Sequence, residues 1–225
     1  MISMFKTHFK ELDDSQVLLL TAYWEMLLDW NTRINLTSVT DTATALQKHF
    51  DDSLHATRFI HQDAHCIDVG TGAGFPGIPL LIARPDIRMT LLDGLHKRVV
   101  FLETVCKELG LPAVCVHARA EDAGHNAAHR EKYDVALSRA VAPLPVLLEF
   151  MVPFLRIGGL AIAYKGNVEE ELAVSSHALG ILHCHAAVAK LDTDYGARTL
   201  VLVEKRAKTA DTYPRRAGLP KREPL

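Results

Sequence analysis

The sequence of 225 residues has no long hydrophobic run and only four cysteines. Its densest apolar stretch, residues 17–20, is far shorter than the roughly 20 residues that a membrane-spanning helix requires. There is no CxxC pair, and the first residues show no apolar segment followed by a small-residue cleavage site. These absences argue against a membrane protein and predict a cytoplasmic chain with buried, reduced thiols.

Neither sign of charge is in large excess, since 25 Lys and Arg stand against 27 Asp and Glu. The distribution is uneven, because the segment from residue 204 to residue 225 contains seven basic and three acidic side chains. A basic segment on an acidic body predicts contact with a polyanion near the C-terminus, with a merely solvated tail as the alternative.

The hydrophobic pattern changes along the chain. Helical spacing of apolar residues predicts a helix over 15–30 and a second over 41–59. From residue 64 onward, short β-rich runs alternate with helical segments of ten or so residues, which is typical of right-handed βαβ crossovers and a parallel sheet. We therefore predict a Rossmann-like α/β fold with a mostly parallel seven-stranded sheet, helices on both faces and an N-terminal helical cap. The predicted boundaries are 1–60 for the cap, 61–204 for the core and 205–225 for a basic tail packed on or near the core.

A glycine-rich loop follows the first predicted strand, where Gly70, Gly72, Gly74 and Gly77 stand within eight residues. Ligands of such sheets bind outside the carboxyl ends of the strands, and glycines leave no Cβ between backbone and ligand. Residues 72–77 satisfy GxGxxG, and Asp93 ends the second strand, as in dinucleotide-binding proteins. The loop therefore predicts a ligand that carries a ribose.

Two features of this loop favour a methyl donor over a dinucleotide. Asp68 stands two residues before the first glycine, where a carboxylate suits an ammonium group better than a pyrophosphate. The pattern D-V-G-T-G-A-G is also similar to motif I of S-adenosylmethionine-dependent methyltransferases. Asp93 serves either cofactor, because both carry ribose hydroxyls, so the loop alone favours the methyl donor only modestly.

Seven segments, taken together, have the order and spacing of one family. They are WNTRINLTSV, KHFDDSL, DVGTGAGFPGIPL, LLDGLHKRVVFL, SRAVAPL, YKG and YPRRAGLPKREPL. With them the chain resembles the bacterial ribosomal small-subunit RNA methyltransferase G family, also called glucose-inhibited division protein B. The resemblance implies methylation of N7 of a single guanine, position 527 in the 530 loop of 16S ribosomal RNA, with S-adenosyl-L-methionine as cofactor.

The resemblance also implies the residues of the site. Carried over by position, the methyl-donor residues are Gly70, Gly72, Gly74, Phe75, Asp93, Ala120, Glu121 and Arg139. The expected RNA contacts are Arg119, Arg139 and Lys165, although Lys165 could equally terminate its strand. Gly94 replaces the family's usual serine, which puts a helix-capping hydroxyl in doubt, and Asp51 replaces a hydrophobic residue, which predicts an exposed position.

The implied chemistry needs no general base, since guanine N7 offers a free lone pair. The chain has no D/N-P-P-Y motif for an exocyclic amine and no Pro-Cys context for covalent attack on a pyrimidine. Positioning is therefore the predicted mechanism, and no catalytic residue is assigned. A nicotinamide-dependent oxidoreductase and a non-catalytic RNA-binding assembly factor remain as alternatives.

Other charged residues are given structural roles. His183 and His185 flank Cys184, but no second ligand pair has zinc-site spacing, so we expect an ordinary half-buried strand and no metal. Lys97 and Arg98 are expected to be solvated at a helix start. The expected partner is 16S ribosomal RNA, naked or in a small-subunit particle, and the expected oligomeric state is a monomer.

Overall fold

A computed structural model describes all residues, 1–225. Its strands are β1 (His65–Val69), β2 (Arg88–Asp93), β3 (Ala113–His117), β4 (Tyr133–Arg139), β5 (Leu155–Lys165), β6 (Cys184–Leu191) and β7 (Arg198–Lys205). They form one sheet in the order β3-β2-β1-β4-β5-β7-β6, in which β7 alone runs opposite to the others. The prediction of a mostly parallel seven-stranded sheet is confirmed.

Eleven α-helical segments surround this sheet. They are α1 (Ile2–His8), α2 (Asp14–Asn31), α3 (Thr42–Ala45), α4 (Asp52–Leu54), α5 (Gly77–Ala83), α6 (His96–Leu109), α7 (Ala120–Ala123), α8 (Leu144–Met151), α9 (Glu169–Val174), α10 (Ser176–Ile181) and α11 (Leu219–Arg222). A π-helical segment, Leu46–Asp51, joins α3 to α4, so that residues 42–54 form one continuous helix. None of these helices combines the length and the apolar character needed to cross a membrane.

Each face of the sheet is covered by its own apolar cluster. On one face, Trp24 and Phe50 from the cap share a cluster of 32 buried residues with Ile162 of β5. On the other face, Leu147 of α8 and Val201 of β7 belong to a cluster of 22 buried residues. Helices thus lie on both faces, as predicted. The cap packs into the first cluster and has no separate core.

Helix α2 begins as its sequence predicts. The Asp13 carboxylate accepts a hydrogen bond of 2.9 Å from the Gln16 N–H, and the Gln16 side chain accepts one of 3.0 Å from the Asp13 N–H. This reciprocal capping box satisfies two N–H groups that the first helical turn leaves without partners.

Helix α1 is absent from the sequence-based prediction. Its Phe5, together with Phe9, packs on Phe50, with ring centroids 5.0 Å apart for Phe5 and 6.4 Å apart for Phe9. The helix also brings His8 to 2.6 Å from Asp51. The expectation that Asp51 is exposed is wrong, since this ion pair half-buries it.

The C-terminal tail is anchored to the core. Strand β7 continues through Lys205, one residue beyond the predicted boundary. This lysine is fully buried and donates a hydrogen bond of 2.7 Å to the Glu131 carboxylate. Arg130 donates to the carbonyl oxygens of Gly124, Thr209, Ala210 and Tyr213. Residues 206–225 therefore follow a defined path across the molecule.

Candidate functional site

Asp68 fixes the glycine-rich loop from below. It lies on β1 with no exposed surface, and its Oδ2 accepts hydrogen bonds from the Thr71 hydroxyl at 2.7 Å and the Gly77 N–H at 2.9 Å. Burial raises the pKa of this carboxyl to about 6. Its Oδ1 has no hydrogen-bond partner, so a polar atom in the floor of the loop remains unsatisfied.

The loop approaches its neighbours too closely for side chains. Gly70 has a φ of +71°, and a Cβ there would lie 2.6 Å from a methyl carbon of Val141. At Gly74, with a φ of +104°, a Cβ would lie 2.6 Å from Ile78. Both positions require glycine on conformational and steric grounds.

Asp93 ends β2 beside the loop and is 4% exposed. Its two oxygens accept hydrogen bonds of 2.9 Å from the N–H groups of Gly72 and Leu95. Arg98 lies 3.5 Å from the same carboxylate and is therefore paired, not solvated as predicted. Because a carboxylate has about four acceptor positions, Asp93 retains capacity for a ligand hydroxyl.

A cavity of about 360 Å³ opens at the carboxyl ends of β1 to β4, and we call it the donor cavity. Five predicted residues line it: Gly70, Asp93, Arg119, Ala120 and Glu121. The other five predicted residues do not: Gly72, Gly74, Phe75, Arg139 and Lys165.

The tail contributes to the donor cavity. Gly218 and Lys221 line it, and the Gly218 N–H donates a hydrogen bond of 3.0 Å to Glu121 Oε1. The sequence-based prediction assigns neither tail residue to the site, although both lie in the segment YPRRAGLPKREPL that contributes to the family resemblance. Leu219 and Pro220, which lie between them, are an apolar signal of packing that could have been used.

A second cavity, of about 430 Å³, lies beside the first, and we call it the cationic cavity. It is lined by Val39, Lys48, His49, Asp52, Arg139, Ala140, Tyr164, Lys165, Gly166 and Arg198. Ala140 lines both cavities and has a φ of +58°, a left-handed conformation that is uncommon for alanine. The two cavities therefore meet at one strained residue after β4.

Arg139 is held by the helical cap. Its Nη1 donates to the carbonyl oxygens of Lys48 at 3.1 Å and His49 at 3.4 Å, in the π-helical segment. The guanidinium also lies over Phe75, 5.0 Å from the ring centroid. Phe75 is buried beneath Arg139 and supports this side chain from outside both cavities.

His49 is neutral at physiological pH. Burial, followed by the charge of Arg139, lowers the pKa of its imidazole to about 4. The ring packs on Phe75 at 4.6 Å between centroids, and Nε2 lies 2.9 Å from the Thr37 hydroxyl. His49 thus provides an uncharged wall to a cavity whose other polar groups are mostly cationic.

The other two predicted RNA contacts, Arg119 and Lys165, differ in whether their charges are free to bind a ligand. Arg119 is exposed at the rim of the donor cavity. Lys165 lines the cationic cavity, but its Nζ donates to the Ala142 carbonyl at 2.8 Å and to Glu171 at 2.7 Å. Lys165 therefore ties β5 to the neighbouring loop and to α9, and its charge is largely compensated.

The structure contains no group of three or more His, Cys, Asp or Glu side chains that could hold a metal ion. His183 precedes β6, and the half-buried Cys184 donates to the Leu182 carbonyl. We assign no ligand-binding role to this stretch.

Comparison with known proteins gives consistent matches. The family model described as rRNA small subunit methyltransferase G matches residues 16–193. A protein named "Ribosomal RNA small subunit methyltransferase G" from Desulfitobacterium hafniense is 46% identical over 221 residues, covering 96% of this chain and 92% of that protein. Its namesake from Alkaliphilus metalliredigens is 43% identical, with 95% and 92% covered.

Solved structures share the fold at low sequence identity. A putative O-methyltransferase from Klebsiella pneumoniae superposes with a TM-score of 0.58 at 14% identity, covering 91% of this chain and 97% of that one. M. jannaschii TYW2 in complex with AdoMet has a TM-score of 0.58 at 12% identity, covering 78% and 80%. The architecture of the sheet and its helices is therefore that of known methyltransferases.

Proposed function

The chain belongs to the rRNA small subunit methyltransferase G family, and we propose that it methylates N7 of the 530-loop guanine in 16S ribosomal RNA. Membership makes it an S-adenosylmethionine-dependent enzyme acting on small-subunit ribosomal RNA, and neither a nicotinamide oxidoreductase nor a non-catalytic assembly factor. The atom, the nucleotide and the residues in contact are the proposed part.

The residues of the donor cavity fit S-adenosylmethionine. Asp93 offers acceptor capacity to ribose hydroxyls, and Gly70 brings its backbone to the cavity wall. The buried, unsatisfied Oδ1 of Asp68 lies beneath the loop, where an ammonium group or a water that it holds would find an acceptor. We assign ribose recognition to Asp93, and one wall of the cavity to Ala120 and Glu121.

The bound cofactor supplies an electrophilic methyl group on a sulfonium sulfur. The nucleophile, the N7 lone pair, carries no proton, so no side chain has to accept one. The protein aligns the two partners and excludes water, which can supply roughly 7–11 kcal/mol of the barrier reduction at best. His49 suits this task because its low pKa keeps it uncharged beside a base that becomes cationic.

The observation that carries the proposal is the contact between the two cavities at Ala140. A donor in the first cavity and a nucleotide in the second would share this boundary at the carboxyl edge of the sheet. The cationic cavity contains Lys48, Arg139 and Arg198, which complement the phosphates next to the target base, whereas Lys165 is paired with Glu171. We therefore assign the guanine to the cationic cavity.

The decisive experiment transfers labelled methyl from S-adenosylmethionine to purified small subunits and to naked 16S RNA, and maps the modified nucleotide. We expect label at N7 of a single guanine in the 530 loop. Label on an exocyclic amine or a ribose hydroxyl would contradict the chemistry proposed, and label outside the 530 loop would contradict the assigned substrate.

Monomeric state remains a prediction, which light scattering of the purified protein tests.

A further inference from the structure

A buried carboxylate contributes to the lining of the cationic cavity. Asp52, the first residue of α4, is 3% exposed. Its Oδ2 accepts a hydrogen bond of 3.1 Å from Arg139, and its Oδ1 lies 3.0 Å from Nε of Arg198. A single negative charge is therefore shared by two arginines that come from different strands, β4 and β7.

From this geometry we infer that Asp52 is a positioning residue for the methyl acceptor, and that it acts by holding Arg139 and Arg198 together at the cavity wall. The inference rests on the proposed function, because it assumes that the RNA enters the cationic cavity. Asp52 is given no catalytic role, because it is buried and its two oxygens face Arg139 and Arg198.

Electrostatics explains why a carboxylate is needed there. Both guanidinium groups lie within about 3 Å of the same carboxylate, so they also lie close to each other. Without the negative charge, two partly buried like charges repel, and the repulsion is strong where water is largely excluded. Asp52 keeps both cations in place and leaves their outward N–H groups free for RNA phosphate or base oxygens.

The local backbone supports the same arrangement. The π-helical segment immediately before Asp52 turns the carbonyls of Lys48 and His49 toward Arg139. Ser53, the residue after Asp52, is held by the Tyr164 hydroxyl, which donates a hydrogen bond of 2.7 Å to the Ser53 carbonyl oxygen. The end of this helix is therefore anchored on both sides of the carboxylate, so that its position relative to β4 and β5 is well defined.

The chain offers a matched control in the adjacent residue. Asp51 belongs to the same helix, but it pairs with His8 at 2.6 Å and contacts neither arginine. Asp51→Asn therefore removes one helical carboxylate and a cap contact without changing the cationic cavity. A merely structural role of helix 42–54 predicts similar effects for Asp51→Asn and Asp52→Asn.

The test compares wild type, Asp51→Asn and Asp52→Asn. For Asp52→Asn we expect kcat/KM for small subunits to fall roughly 10- to 100-fold, as misplacement of a positioning group does. We expect the calorimetric Kd for S-adenosylhomocysteine to stay within about twofold, because Asp52 does not line the donor cavity. Equal values of kcat/KM in the two variants would overturn the inference. It would also be overturned if Asp52→Asn lost as much affinity for S-adenosylhomocysteine as it loses in kcat/KM.

A double variant tests the electrostatic reason. In an Asp52→Asn background, Arg198→Gln removes an RNA contact but also the repulsion on Arg139, so its cost in RNA affinity should be about threefold or more smaller than in wild type. Independent contributions would instead make the second loss add to the first, which would refute the argument. If Asp52→Asn does not fold, recovery of folding and RNA binding in the double variant supports the inference, and failure to recover overturns it.

Failure of the proposed function is distinguishable from failure of this inference. Wild-type protein that labels a different nucleotide contradicts the function, whatever the variants do. Wild-type protein that labels the expected guanine, together with indistinguishable Asp51→Asn and Asp52→Asn, contradicts the inference alone.

Discussion

Glu121 and Gly218, 97 residues apart in the chain, are joined by a hydrogen bond of 3.0 Å at the wall of the donor cavity. The carboxylate belongs to α7, after β3, and the N–H belongs to the tail just before α11. A residue that the family resemblance places in the methyl-donor site is thus bound to the C-terminal segment. Detachment of the tail would therefore remove part of the wall of the donor cavity.

Arg215→Ala is expected to destabilise the protein by roughly 3–5 kcal/mol, because it leaves the fully buried Glu149 without its cation. Arg215 donates to both carboxylate oxygens, at 2.9 Å and 2.7 Å. Urea unfolding measures the loss, and calorimetry should show weaker S-adenosylhomocysteine binding when the tail detaches. Arg222→Ala is the control, since that exposed arginine pairs only with the neighbouring Glu223 and should change stability little. Equal effects would mean that the tail is not held by the Glu149 pair.

Gly70→Ala should both lower stability and weaken donor binding, because the new methyl group meets Val141 at the cavity wall. Gly110→Ala is the matched control: this glycine also has a positive φ, of +64°, but nothing lies within 4 Å of its Cβ position. The control should lose only the conformational part, about 1–2 kcal/mol. If the two variants bind S-adenosylhomocysteine equally well, Gly70 does not border the donor.

The sheet and most of its helices could be predicted because their signals are local. Helix α6 is one of the helical segments predicted between strands, and it ends where Gly110 adopts a left-handed conformation. Helix α1 is not predicted because it has only seven residues, and Phe5 packs on Phe50, which is distant in sequence. The π-helical segment lies within the predicted helix 41–59, but the spacing of its apolar residues does not distinguish a π-helix from an α-helix.

The site residues are harder to predict than the fold, because whether a charged side chain is free to bind a ligand depends on partners that are distant in sequence. Lys165 and Arg98 look alike in sequence, as cations near a strand end and a helix start. The structure pairs Lys165 with Glu171 and Arg98 with Asp93, while Arg119 stays exposed. The spacing of residues in the sequence predicts where a cation lies relative to the strands. It does not predict whether an acidic side chain neutralises that cation.

Asp93→Asn should weaken S-adenosylhomocysteine binding by about 1.5–3 kcal/mol, because ribose hydroxyls lose a charged acceptor. The substitution keeps the side-chain size, but the new amide nitrogen cannot accept from one of the two loop N–H groups, so urea unfolding of the variant accompanies the affinity measurement. Asp122→Asn is the control, since Asp122 is exposed near the same cavity without lining it. An unchanged calorimetric Kd in folded Asp93→Asn would remove Asp93 from the site.

His49 gives the stability of the protein a defined pH dependence. Its pKa of about 4 lies below the ordinary value of 6.5, so between these pH values the unfolded chain binds the proton more readily. Wild type should therefore lose stability relative to His49→Gln as the pH falls from 6.5 to about 4, by at most about 1.4 kcal/mol per pH unit.

Urea unfolding of both proteins at several pH values measures this difference, which should be constant above pH 7. Comparison of the two proteins cancels Asp68, whose raised pKa of about 6 acts in the opposite direction over part of the same range. A difference that does not change with pH would show that His49 titrates normally in the folded state.

Single-turnover methyl transfer should be nearly independent of pH from mildly acidic to mildly basic conditions. The N7 lone pair needs no base, and His49, the histidine that lines the cationic cavity, is already neutral throughout. The measurement requires saturating cofactor and RNA at every pH, so that binding does not contribute. A rate that rises tenfold per pH unit would reveal proton removal and would favour an amine or hydroxyl acceptor.

Gly218 and Lys221 follow all seven strands in the chain, and they form part of the wall of the donor cavity. Chains fold from the N-terminus during synthesis, so the sheet can assemble before this wall is in place. A chain that has folded only through β7 therefore has its scaffold and lacks the complete cavity. The donor site is thus completed later along the chain than the sheet that carries it.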